Sequence, residues 1–70
     1  MNSIDEIFNY ADSLTPRKCH CAIYIYEDAF GKLKHSIIFS PDIEECSEWL
    51  HYKYMTVSKN CYRYLDGHIY

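Results

Sequence analysis

Arg17–Glu27, RKCHCAIYIYE, is the stretch on which the reading of this chain turns. Taken alone, Cys19-His20-Cys21 looks like the opening of a metal site. Carried forward, the same run alternates with period two. Cys19, Cys21, Ile23 and Ile25 fall on one face, and His20, Ala22, Tyr24 and Tyr26 on the other. β-Branched and aromatic side chains suit a pleated, half-buried surface, so the run predicts a strand over 19–26. Its odd-numbered face is expected to point inward and its tyrosine face outward.

Downstream, EDAFGK reads as a hairpin loop, with Gly31 in the left-handed position of a G1 bulge. LKHSIIF is the return strand, in which Leu33, His35, Ile37 and Phe39 alternate with Lys34, Ser36 and Ile38. SPDIEECSEWLHYKYM then predicts a helix capped by Ser40, with Pro41 as its first residue and Asp42, Glu44 and Glu45 near the positive end of the dipole. Ile43, Cys46, Ser47, Leu50 and Tyr54 form its inward stripe, Trp49 lies on the flank, and Glu44, Glu45, Glu48, His51 and Tyr52 face away. TVSKN breaks the period. CYRYLDGHIY reads as a third strand with Asp66-Gly67 as a tight turn into a short fourth. The third strand's inward set stays open: Cys61 and Leu65 share parity with Arg63, and Tyr62 and Tyr64 are the alternative.

Upstream, SIDEIFNYADSL predicts a helix with Ser3 as cap and Glu6 completing a capping box. Ile4, Ile7, Phe8, Ala11 and Leu14 make its apolar stripe, and Thr15-Pro16 ends it. The order α-β-β-α-β(β) implies an α+β domain spanning 1–70. The simplest packing is an antiparallel sheet of three to four strands with both helices on one face.

The totals narrow the function classes. Seventy residues, 49% of them apolar and with two glycines and two prolines, fit one small folded domain. A formal charge of −3 argues against general affinity for phosphate backbones. MNSIDEIF lacks the basic and apolar regions of a signal peptide, and no apolar run approaches a membrane span. The expectation is a cytoplasmic protein with reduced cysteines and no membrane contact.

The thiols Cys19, Cys21, Cys46 and Cys61 are a candidate zinc set, and His20, His35, His51 and His68 widen the choice of ligands. Structural zinc sites usually use paired cysteines on turns, whereas these sit in strand and helix positions as small buried hydrophobes do. No cofactor is therefore expected. A cysteine–histidine nucleophile needs a lowered thiol pKa and a nearby base. Cys46 lies on the inward stripe and His51 points away from it, and no phosphate-cradling glycine loop or hydrolase motif is present. A non-enzymatic binding protein is expected.

The binding surfaces are the tyrosine sheet face, Tyr24 and Tyr26 with Lys34, and the outer helix face, Glu44, Glu45, Glu48 and Tyr52. Aromatic sheets stack bases in RNA-binding modules, which gives a single-stranded RNA or DNA binder as the alternative. A zinc-stabilised module or a homodimer formed through the sheet face or an open edge strand are further alternatives.

In length, acidity and tyrosine content, the chain resembles the small accessory inhibitors of phages and mobile elements, of the anti-CRISPR and anti-restriction type. The resemblance implies steric and electrostatic blocking of a host protein or nucleoprotein complex in the host cytoplasm. The acid density is too low for full DNA mimicry, so steric blocking with acidic and tyrosine contacts into a basic cleft is the expected version. Direct nucleic-acid contact is not expected of a chain with net charge −3.

Overall fold

In the computed structural model, which describes residues 3–54 and 61–70, the elements are α1 (Ile4–Leu14), β1 (His20–Glu27), β2 (Leu33–Ser40), α2 (Ile43–Tyr54), β3 (Cys61–Leu65) and β4 (His68–Ile69). The strands form one antiparallel sheet in the order β2-β1-β3-β4, which is the α+β arrangement expected. The expected break at 56–60 and the inward side chain of Tyr54 lie outside what is described.

Local chemistry fixes the turns. Gly31 has φ 77°, its N–H donates to the Asp28 carbonyl at 3.1 Å, and the Asp28 N–H donates to the Lys32 carbonyl at 2.9 Å. This is the G1-bulge hairpin expected at EDAFGK. Asp28 Oδ1 also accepts from the Lys32 and Phe30 amides at 2.9 and 2.8 Å. The Lys32 bond foremost, with that of Phe30, holds the Asp28 carboxyl below its ordinary range. Asp66 (φ 51°) and Gly67 (φ 82°) make the tight turn between β3 and β4.

Ser3 caps α1 as expected, accepting from the Glu6 amide at 3.2 Å. At the other end the Thr15 amide and hydroxyl both donate to the Ala11 carbonyl. The start of α2 differs from expectation. Asp42 is the cap, with Oδ1 accepting from the Glu44 amide at 3.0 Å, and the helix begins at Ile43. Ser40 instead closes a small turn, accepting from the Asp42 amide and donating to Glu45 Oε2 at 2.9 Å. The serine and the aspartate both suit a cap, and the proline between them holds the serine one turn short of the helix.

The two faces of β1 carry separate halves of the core. Ile23 and Ile25 pack with Ile7 and Ala11 of α1, joined by Ile4, Phe8, Cys21, Leu33, Ile37 and Tyr64. Ala22 and Tyr24 pack with Cys46 and Leu50 of α2, joined by Tyr26, Ile38, Trp49, Cys61 and Leu65. Adjacent residues of a strand point to opposite faces. Packing of both helices on one face therefore holds for α1 and the odd-numbered stripe, while α2 takes the even-numbered face. The physical reason is Ala22, whose small side chain lets a helix approach, with Tyr24 beside it offering a broad apolar ring. Ile7, Ile25 and Leu50 are fully buried, each contributing about 1.5–3 kcal/mol by removal from water. Both readings of β3 are realised: Cys61 and Leu65 face α2, and Tyr64 stacks edge-on against Phe8 of α1 at 4.6 Å. Leu14 and Ile43, placed on inward stripes by periodicity, lie past the ends of the packed region and are exposed.

Candidate protein-binding surface

Docking of α2 on the even-numbered face rearranges the candidate surfaces. Tyr24 is 6% exposed and belongs to the core, so the open tyrosine sheet face is not formed. Burial pushes its phenol upward in pKa, with Cys61 adding to the shift. Tyr26 is half-buried, its ring 5.5 Å from that of Tyr24, and packs against the same cluster. Lys34 stays exposed on β2 beside Tyr26. The expectation failed because tyrosine is equally at home on a wet sheet and under a helix.

The outer face of α2 is formed as expected. Glu44, Glu45, Glu48 and His51 are exposed, and Tyr52 is 78% exposed. Glu45 is tied back to Ser40 by its hydrogen bond, so Glu44 and Glu48 carry the outward charge. The structure adds a partner that periodicity alone did not supply. The Tyr70 hydroxyl hydrogen-bonds the Ser47 hydroxyl, and its amide donates to the Arg63 carbonyl at 2.8 Å. The Arg63 guanidinium lies 5.6 Å from the centre of the Tyr70 ring. Tyr70 is thereby held against α2. A cleft of about 380 Å³ opens between Ser47, Glu48, His51, Tyr52 and Tyr70. The Asp66-Gly67 turn is the signal that leads to it: folding the chain back at that turn lays the residues after β4 alongside Arg63.

The chain places its thiols apart. Cys21 joins the α1 half of the core, whereas Cys46 and Cys61 join the α2 half, so the sheet separates members of the candidate zinc set. Among the described residues no three His, Cys, Asp or Glu side chains are grouped to hold a metal ion. Burial raises the pKa of both Cys21 and Cys46, and nearby carboxylates reinforce the shift. The Cys46 thiol donates to the His20 carbonyl at 3.7 Å and not to an imidazole. His20 and Cys21, as strand neighbours, point to opposite faces. Burial thus works against the thiolate form at Cys21 and Cys46, which pack as small soft groups in the two halves of the core.

A second cleft, of about 370 Å³, lies on the α1 side between Phe8, Ala11, Asp12, Thr15, Cys21, Ile23, Asp66 and Gly67. Its floor is fixed by Asp66. The Asp66 carboxylate meets His20 Nδ1 at 2.7 Å and accepts from the Cys21 amide at 2.9 Å. The Asp66 amide donates to the Cys21 carbonyl at 2.8 Å. Burial works to raise this carboxyl, but the Cys21 amide and His20 outweigh it, leaving Asp66 below its ordinary range.

No described helix is long and apolar enough to cross a membrane. No family model matches the chain, and no curated protein or solved structure does.

Proposed function

We propose that this chain is a non-enzymatic inhibitor of the phage accessory type, which docks the outer face of α2 on a basic surface of a host nucleic-acid-handling complex. The observation that supports the reading is the joining of Glu48, His51 and Tyr52 to Tyr70 around one exposed cleft, with Glu44 exposed on the same helix, the element that buries Tyr24. Acidic side chains steer the encounter with a positive surface, and exposed tyrosines supply contact area at small entropic cost. The cleft would accept one protruding side chain of the partner, and the tyrosines bounding it are the residue type that dominates binding energy at such centres. With extents of 36 × 25 × 15 Å, the molecule is a flat wedge, suited to steric blocking of a groove. Four free thiols suit a reducing cytoplasm, where the proposal places the chain.

The base-stacking alternative loses its platform, since Tyr24 is covered by α2 and Tyr26 is half-covered. Affinity capture from source-cell extract separates the readings. The wild-type chain and a Lys34→Glu variant should retain the same basic partner, and Glu44→Lys/Glu45→Lys/Glu48→Lys should lose it. Equal retention by the triple variant clears α2 of the role.

A further inference from the structure

One long strand edge is left open by this topology. Among the described residues β2 has a neighbour on one side only, and it is eight residues long, against two for the opposite edge strand β4. The direction of its backbone groups follows from the hairpin. The Asp28–Lys32 bond makes this a hydrogen-bonded pair, so the even-numbered residues of β2 bond to β1. The Asp66–Cys21 bond agrees, because it sends the odd-numbered residues of β1 toward β3. Leu33, His35, Ile37 and Phe39 therefore direct their N–H and C=O groups away from the sheet.

Edges of this kind are usually blunted by proline, a bulge or several charges. β2 has no proline, its register with β1 runs unbroken from His20↔Ser40 to Glu27↔Leu33, and its one formal charge is Lys34. We infer that β2 pairs antiparallel with β2 of a second copy about a two-fold axis at Ser36, extending the sheet across both copies.

Self-pairing is favoured by how this sequence meets itself. With Ser36 opposite Ser36, His35 faces Ile37 and Leu33 faces Phe39, so every outward N–H finds a carbonyl. On the other face Lys34 meets Ile38. No like charges stand opposite each other, and the apolar residues meet apolar or half-apolar ones. Registers shifted by two residues in either direction leave one outward residue at the strand's end unpaired. Tyr10 of α1 adds to the seam: it is 44% exposed, and its ring sits 6.1 Å from that of His35. The two-fold brings the α1 helices of both copies to one face, with Tyr10 beside the junction.

Sedimentation velocity on the full chain from about 1 µM to about 1 mM tests this. The wild type should move toward twice its 8.4 kDa mass as concentration rises. His35→Pro removes an outward N–H that β1 does not use, so it should leave the fold intact by circular dichroism and yield a monomer. Ser36→Lys and Ser36→Glu each set like charges on the axis and should weaken self-association at least about tenfold, and an equimolar mixture should restore it. If His35→Pro fails to fold, the Ser36 pair carries the test. A wild type that stays monomeric throughout overturns the proposal. So does a dimer that persists in folded His35→Pro, or a Ser36 mixture that stays monomeric.

Discussion

Asp66 Oδ2 lies 2.7 Å from His20 Nδ1, joining residues 46 apart in the chain. The same aspartate is in the left-handed region and begins the β3–β4 turn. Its other oxygen takes the Cys21 amide, so one side chain ties the last hairpin to the start of the central strand. The turn that presents Tyr70 to α2 is thus anchored at its base.

Asp66→Asn should cost about 1 kcal/mol in urea unfolding, a charged hydrogen bond discounted because both partners are more than a third exposed. The pH dependence has a definite sign. Asp66 is depressed in the folded state, so its contribution is complete above the unfolded carboxyl pKa of about 3.9 and is lost as pH falls through the lower folded value. The wild-type midpoint should fall below about pH 4 more steeply than that of Asp66→Asn. Parallel acid profiles would remove Asp66 from the account.

Tyr24→Ala should act on the fold. Removing a side chain only 6% exposed leaves a cavity under α2 and should cost about 3–5 kcal/mol, most of the stability of so small a domain. Tyr52→Ala, at a 78% exposed position, should change unfolding by less than about 0.5 kcal/mol. Denaturant titration of the two variants distinguishes core from surface, and equal stability would contradict the placement of α2.

Thiol chemistry reports the same packing. Cys46 is fully buried, and burial raises its pKa, so it should resist iodoacetamide at neutral pH until the chain unfolds. Peptide mass mapping after a short alkylation pulse should find Cys46 the least modified of the thiols. Rapid native alkylation there would mean that α2 does not sit on Ala22 and Tyr24.

At the first hairpin, Gly31→Ala meets nothing within 4 Å, so its whole cost is the φ of 77°. About 1–2 kcal/mol is expected from the left-handed backbone. Thermal unfolding checks this, and an unchanged midpoint would show that the loop is free to take another turn.

Much of the architecture was legible because its signals are local. The period change at Cys19, the glycine at position 31, Asp66-Gly67 and the Ser3 cap each act within a few residues. The site was half legible. Glu44, Glu48 and Tyr52 face outward because helical periodicity separates them from Cys46 and Leu50. Tyr24 was misplaced because alternation says only that two faces exist, and a tyrosine is compatible with either. Ala22 was the overlooked mark of a face that a helix approaches. Tyr70 meets Arg63 across the local Asp66-Gly67 hairpin, but its bond to Ser47, 23 residues away, depends on how α2 docks on the sheet, which no short window along the chain contains.

The most direct test of the α2 surface is a site-specific photocross-linking scan in the source cell. A photoreactive phenylalanine analogue would replace Tyr52 and, in parallel, Tyr62, which is also exposed but lies on the α1 face of the sheet. The account predicts a discrete adduct from position 52 to a basic protein of a nucleic-acid-handling complex, lost on reversing Glu44 and Glu48, with none from position 62. An adduct from position 62 alone, or one from position 52 that survives the charge reversal, would contradict it.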